Sequence, residues 1–261
     1  MNHKILFTHN NKYYNTTLLK DALKSIGIKE GDLLCIHTEL FNFGVPMMKK
    51  TILLKSILDC FFSIIKKSGT LIMPTFTYSF CENEIYNKQC SQSYMGTLTN
   101  FFRTQSGVKR TNDPIFSFAI KGAKQDLFLK DTKSCFGENC VYDVLAKENG
   151  KIILFGMNNK GFTFSHFTEE KMQVSYRYYK TFRGSIVDNN IEKVYSIKYF
   201  VRDLTQNSHL NINKQIEILK KTNNFNECIF AGAPIVSINA KKYLNENINA
   251  LTLNEKILIS N

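Results

Sequence analysis

The chain has 261 residues, of which 43% are apolar and 21 are phenylalanine, so it can bury a sizeable core and is no disordered polymer. Its formal charge of +12 raises the question of nucleic acid, but the lysines fall singly or in pairs such as Lys49-Lys50, Lys66-Lys67 and Lys220-Lys221. No helix-turn-helix, zinc knuckle or ribonucleoprotein signature accompanies them, and a diffuse positive field serves small anionic ligands equally well.

Along the chain, "TLLKDALKSIGIKEGDLLCIHTEL" from Thr17 reads as helix, turn, strand: Leu18, Leu19, Ala22, Leu23 and Ile26 recur at helical spacing. Gly27 and Gly31-Asp32 then punctuate the chain before the apolar run "LLCIH". A second helix over 50–66 precedes the strand "TLIMPTFTYS". That helix is the most apolar run of the sequence, yet Lys55 and Asp59 break it for a bilayer. A third helix over 97–104 leads to the strand "IFSFAIKG", and a fourth over 141–147 leads to "KIILFG". The stretch "YKTFRGSIVDNNIEKVYSIKYFV" alternates around Asp188-Asn189-Asn190 as a β-hairpin does. A helix near 214–221 and a strand near 227–231 follow. These patterns predict a single α/β domain over 1–261, with a mostly parallel or mixed central sheet flanked by helices and a hairpin region toward the C-terminus. The seven cysteines include no C-x-x-C pair, so free thiols, no metal site and no disulfide framework are expected. The N-terminal apolar run is too short for a signal peptide, which predicts a cytoplasmic protein without membrane insertion.

Each strand end carries polar residues where α/β sheets place ligands. His37, Thr38 and Glu39 follow the first strand; Thr75, Thr77, Tyr78 and Ser79 follow the second; Arg110, Thr111 and Asp113 precede the third. Any one of them also reads as a helix cap or a turn residue. The fourth strand leads into "KGFTFSHFTEEKMQVSYRYYK", in which His166 sits in the first turn of a helix with Glu169 and Glu170 three and four residues on. A helix N-terminus disfavours imidazolium and a carboxylate favours it, a balance that suits a general base working near neutrality. The same residues also read as an ordinary helix start whose acidic groups complement the dipole. No G-x-G-x-x-G, P-loop or G-x-S-x-G is present, which excludes those nucleotide and hydrolase sites.

Five blocks in order, "GDLLCIHTELFNFG", "GTLIMPTFTYSF", "YMGTLTNFFRTQSGVKRTNDPIFSFAIKG", "GENCVYDVLAKENGKIILFG" and "FTFSHFTEE", resemble the aminoglycoside 3-N-acetyltransferase (antibiotic N-acetyltransferase) family. The resemblance implies a fold distinct from the common GNAT acetyltransferases, acetyl-CoA as cosubstrate, and direct transfer to an amine. It places the family's H-x-x-E pair on His166 and Glu169. It places a V-H-x-S-L segment on Ile36-His37-Thr38-Glu39-Leu40 and an R-S-x-H-P segment on Arg110-Thr111-Asn112-Asp113-Pro114. His37, Thr38, Phe76, Thr77, Arg110, Thr111 and Ser117 are accordingly expected to contact the coenzyme, and Glu39, Tyr78, Asp113 and Glu170 the acceptor. Glu39, Asp113 and Cys140 depart from the family's usual serine, histidine and serine. A ping-pong route through Cys140 is the alternative to direct transfer. Because a +12 protein repels polycations, the expected acceptor is an amino sugar, including a nucleotide-linked one from a surface-glycan pathway. An aminoglycoside acceptor is the alternative. A non-catalytic protein binding CoA or nucleic acid is a third reading, and a homodimer is one expectation for assembly.

Overall fold

A computed structural model describes residues 4–260. Its elements are β1 (Ile5–His9), β2 (Lys12–Asn15), α1 (Thr16–Ser25), β3 (Leu33–Thr38), β4 (Val45–Pro46), α2 (Lys50–Ile65), β5 (Thr70–Pro74) and β6 (Tyr86–Asn87). There follow α3 (Thr97–Arg103), β7 (Lys109–Arg110), β8 (Phe118–Gly122), α4 (Val141–Lys147), β9 (Lys151–Phe155) and α5 (Phe164–Met172). The last are β10 (Arg177–Asp188), β11 (Ile191–Arg202), α6 (Ile212–Lys221), β12 (Asn226–Phe230), β13 (Ala233–Asn239) and α7 (Ala240–Leu253).

The central sheet has seven strands in the order β12-β13-β9-β3-β5-β8-β7. Strand β3 lies parallel to both β9 and β5, and the remaining pairs are antiparallel, so the sheet is mixed. Side-chain alternation distributes β3 between two cores. Leu34 and Ile36 meet α1, α2 and α3 on one face, where Leu19, Leu23, Ile57, Phe61 and Phe102 are fully buried. Leu33 and Cys35 meet α4, α5, α7 and the β10–β11 hairpin on the other, around Tyr142, Phe164, Phe167 and Tyr243. By the same period of two, His37 belongs to the second face.

The hairpin is regular from Arg177↔Arg202 to Asp188↔Ile191. Its turn residues Asn189 and Asn190 have φ of 49° and 65°, the left-handed pair that a tight hairpin turn requires. Strand β6 pairs in parallel with β10 and ties the hairpin to the rest of the molecule. Three features depart from the sequence expectation. The strand expected through Ser79 ends at Pro74: Thr75 and Thr77 still donate their N–H groups to the Ser117 and Ile115 carbonyls, but the Thr75 carbonyl is taken by side chains and Tyr78 takes φ of 54°. Residues 10–11 turn a short N-terminal hairpin through Asn10 and Asn11, both with positive φ. Strand β13 and helix α7, unmarked by strong periodicity, complete the sheet and cover its second face. Among the described residues no helix is long and apolar enough to cross a membrane.

Candidate active site

His37 projects from the end of β3 onto α4, where its Nε2 lies 3.1 Å from the Tyr142 hydroxyl and its ring stacks on Tyr142 at 6.4 Å. Tyr142 stacks in turn on Phe136 at 6.1 Å, and Phe136 meets the His166 ring edge-on at 5.4 Å. A row of four rings therefore joins the β3 end to the start of α5. The loop between β9 and α5 makes this approach through Gly161, at φ of 86°. A Cβ there would stand 2.9 Å from Leu154 and Met157 and 3.3 Å from the His37 Cβ. Burial lowers the His37 pKa from 6.5 to about 4, so the ring is neutral at physiological pH.

Helix α5 begins after Thr163, which offers no side-chain cap, and places His166 in its first turn as expected. His166 Nδ1 is 3.2 Å from Glu169 Oε2; the imidazole is partly exposed and the carboxylate fully buried. The i, i+3 spacing on one helical face creates this pair. Two residues absent from the sequence reading complete it. The helix ends at Gln173, whose φ of 51° reverses the chain, and β10 returns with Arg177 beside the pair. Arg177 Nη2 lies 2.8 Å from Glu169 Oε2 and 2.8 Å from His166 Nδ1, and its Nη1 donates to the Phe200 carbonyl at 3.0 Å. The Tyr176 hydroxyl donates to Glu169 Oε1 at 3.1 Å. The His166 pKa is lowered, first by burial and then by the Arg177 charge, against the opposing pull of Glu169. Burial and a cation from another element are what oppose the carboxylate.

The other expected residues divide sharply. His37, Thr38 and Glu39 line a cleft of about 780 Å³, together with Leu40, Leu53, Tyr94, Met95, Met157 and Lys160. Glu39 is held there by Lys160 at 3.1 Å and by the Asn42 amide at 3.0 Å. Arg110, expected to contact the coenzyme, is instead 6% exposed and internally engaged. Its Nε donates to the Thr75 and Ser117 hydroxyls, Nη1 to the Lys88 and Ser91 carbonyls, and Nη2 to the Thr75 carbonyl. Its guanidinium also lies 5.1 Å from the centre of the Tyr86 ring, and the Tyr86 hydroxyl donates to the Thr111 carbonyl at 2.9 Å. This segment is a joint between the central sheet and the hairpin sheet. A guanidinium so engaged is poorly placed for a ligand phosphate.

Thr111, Ser117, Thr77 and Phe76 belong to the same joint. The Thr111 hydroxyl accepts from the Phe118 N–H, the Ser117 hydroxyl donates to the Thr75 carbonyl, and the Thr77 hydroxyl donates to the Pro114 carbonyl. Phe76 is buried against Phe116 and Phe118. None of these side chains lines the large cleft. Asp113 turns inward as well: its Oδ1 accepts from the Ile115 and Phe116 N–H groups at 2.8 Å, and burial raises its pKa. Tyr78 is half-buried, with its ring 6.0 Å from Tyr94 at the cleft and 5.6 Å from Phe116. Glu170 lines a second cavity of about 430 Å³ with Phe136 and Tyr179. There it accepts from Ser134 at 2.9 Å and from Tyr179 at 3.3 Å, and burial raises its pKa. Cys140 caps α4, its sulfur accepting from the Asp143 N–H, and burial pushes its thiol well up, opposite to what a nucleophile needs.

The family pattern for aminoglycoside 3-N-acetyltransferase matches residues 36–252. The SPbeta prophage-derived aminoglycoside N(3')-acetyltransferase-like protein YokD of Bacillus subtilis (strain 168) is 21% identical over 178 residues, a match that covers 59% of this chain and 64% of that protein. The crystal structure of AAC(3)-IVa in complex with gentamicin superposes with a TM-score of 0.79 at 17% identity, over 94% of this chain and 91% of that one. AAC-IIIb in a binary complex with CoASH superposes with a TM-score of 0.76 at 18% identity, over 91% and 96%. At these identities the superpositions establish a shared fold.

Proposed function

The chain belongs to the aminoglycoside 3-N-acetyltransferase family, a family of acetyl-CoA-dependent N-acetyltransferases, and from that premise we propose that it transfers an acetyl group to an amine with His166 as general base. The observation that carries this reading is the His166–Glu169 pair, whose imidazole alone is partly exposed and which lies in one row of rings with His37 at the large cleft.

The cleft suits the cosubstrate on its own chemistry. Leu40, Met48, Leu53, Leu54, Met95 and Met157 form an apolar wall for a pantetheine arm. Helix α2 starts at this cleft with no side-chain cap and no acidic residue in its first turn, and Lys50 and Lys160 lie at its edge. Uncapped N–H groups and ammonium groups are what phosphates require. When bound, acetyl-CoA supplies an activated thioester carbonyl. His166 accepts the amine proton at Nε2, the ring nitrogen turned away from Glu169. Glu169 accepts from Nδ1–H, orients the ring and stabilises the imidazolium. Of the two hydroxyls considered for supporting developing negative charge, Thr38 lines the cleft, whereas Thr111 is committed to the Phe118 N–H. The buried Cys140 takes no part, so transfer is direct.

An aminoglycoside acceptor is supported by the family and by the gentamicin complex of AAC(3)-IVa. One observation favours the amino-sugar reading. The carboxylates that would draw a polycation are paired or pushed toward neutrality: Glu39 is paired with Lys160 and Glu169 with Arg177, while burial raises the pKa of Asp113 and Glu170. Release of CoA thiol, measured with acetyl-CoA and a panel of gentamicin, kanamycin and amino-sugar nucleotides, separates the two. Saturable turnover of the drugs alone supports the first acceptor and removes the second, and the reverse pattern removes the first. Silence with every amine, under conditions where CoA binds, removes the catalytic reading itself.

A further inference from the structure

Nδ1 of His166, Oε2 of Glu169 and Nη2 of Arg177 form a triangle with sides of 3.2, 2.8 and 2.8 Å. A guanidinium has only donors and keeps its charge at every accessible pH. Its contact with Nδ1 is therefore a hydrogen bond only when Nδ1 carries no proton, which leaves the proton of the neutral ring on Nε2. Base catalysis at Nε2 needs the opposite tautomer, with Nδ1–H directed at Glu169. Two N–H groups on Nη2 satisfy both Oε2 and Nδ1 in the first tautomer, and Oε2 alone satisfies Nδ1–H in the second.

We propose that Arg177 is a positioning residue for the transfer reaction: it anchors Glu169 and, by donating to Nδ1, rests His166 in the Nε2–H tautomer until Glu169 takes over Nδ1. The exchange gives the Nε2 proton to water and returns one from water to Nδ1, so the ring stays neutral. The arrangement is built to last. Arg177 and Glu169 are both fully buried, Nη1 is fixed by the Phe200 carbonyl, and Tyr176 holds the second carboxylate oxygen. The charged groups acting on the ring are Glu169 of α5, Arg177 of β10 and the more remote Arg202 of β11, while the Tyr176 and Tyr199 phenols stand beside the pair. Arginine beside the imidazole also opposes imidazolium, so a captured proton leaves more readily.

The proposal rests on the acetyl-transfer reading, but its deciding measurement needs no turnover. Long-range proton–nitrogen correlation spectra of the ¹⁵N-labelled protein report the tautomer and the titration of His166, assigned by comparison with His166→Asn. In the native protein the neutral ring is expected as Nε2–H. Arg177→Lys keeps the charge but its ammonium ends one bond short of the Nη2 position, so it releases Nδ1 and moves the ring to Nδ1–H with little change in midpoint. Arg177→Gln does the same and raises the midpoint by about one pH unit or more. With it, the acid limb of kcat/KM moves up in pH while KM for acetyl-CoA holds, a displacement that a purely structural role would not produce. An Nδ1–H ring in the native protein, or a tautomer and midpoint unchanged in both variants, overturns the proposal. Should Arg177→Gln not fold, Arg177→Lys decides through the tautomer. Lack of turnover in the native protein would remove the acetyl-transfer reading and leave the spectroscopic result standing.

Discussion

At the end of β5 the side chains of Thr75, Thr77, Arg110 and Ser117 meet one another and nearby carbonyls, whereas at the start of α5 His166 meets a buried carboxylate and keeps part of its ring in the open. Both regions are polar, both sit at strand ends, and both contain an arginine. Arg110 has its N–H groups divided among hydroxyls and backbone carbonyls of three loops. Arg177 faces an ionisable pair. The contrast teaches that a strand-end position selects for polar residues without deciding their use. A group whose hydrogen bonds close on the backbone holds the fold together, while a group coupled to a second titratable residue with an open side can move a proton.

Substitutions at the two regions should therefore act in opposite ways. The largest effect is expected at His166: His166→Gln lowers turnover by about 10²–10⁴-fold, with acetyl-CoA affinity nearly unchanged by calorimetry and an unaltered melting temperature. Near-normal turnover in that variant would end the base assignment. At the joint the pattern reverses. Arg110→Met is expected to destabilise the fold by about 3 kcal/mol, through carbonyls and hydroxyls left without a donor, while the folded fraction turns over normally. Urea titration combined with active-site counting checks both halves, and a selective loss of acetyl-CoA affinity would restore Arg110 to the coenzyme site.

His37 gives a pH test of the ring row. Its folded pKa of about 4 lies below the unfolded value of 6.5, so the unfolded chain takes the proton first as pH falls. The stability it contributes is complete above 6.5 and lost on descent to about 4. The loss is roughly 3 kcal/mol, read as the fall in urea midpoint that His37→Asn abolishes. Gly161→Ala is expected to cost about 1–3 kcal/mol, from a left-handed backbone and from crowding at Leu154, Met157 and His37, and to raise KM for acetyl-CoA. The smallest change is expected far from the site. Asn190→Gly in the β10–β11 turn should shift stability by no more than about 0.5 kcal/mol, because asparagine already accepts the left-handed conformation.

Much of this molecule is legible in one dimension. Helical spacing in α1 and α2, the apolar runs of β3, β5 and β9, and the Asn-Asn turn of the long hairpin each state their structure locally, because they depend on side chains a few residues apart. Strand β13 and helix α7 are less visible, since they are stabilised by the sheet and by α4 and α5 against which they lie rather than by strong periodicity of their own. The expected continuation of β5 fails for a local reason. Residues Thr75 to Ser79 have strand-like composition, and the Thr75 N–H still reaches the Ser117 carbonyl, but the Thr75 carbonyl accepts from the Arg110 guanidinium and the Ser117 hydroxyl instead of a strand N–H.

The His166–Glu169 pair is readable because its members share a helix turn, so sequence distance and spatial distance coincide. Its setting is not. Arg177 comes from a strand that follows a chain reversal, Phe136 from a loop before α4, and His37 from a different strand, and no local rule ties them to His166. Local spacing settles most of the elements, the apolar face of those helices and strands, and the meeting of a histidine and a glutamate at one helix start. Only the tertiary structure decided that Arg110 would be a joint and Arg177 a partner of the base. Hydrogen-bond satisfaction and burial are properties of everything packed around a group, and they exist only once distant segments have been brought together.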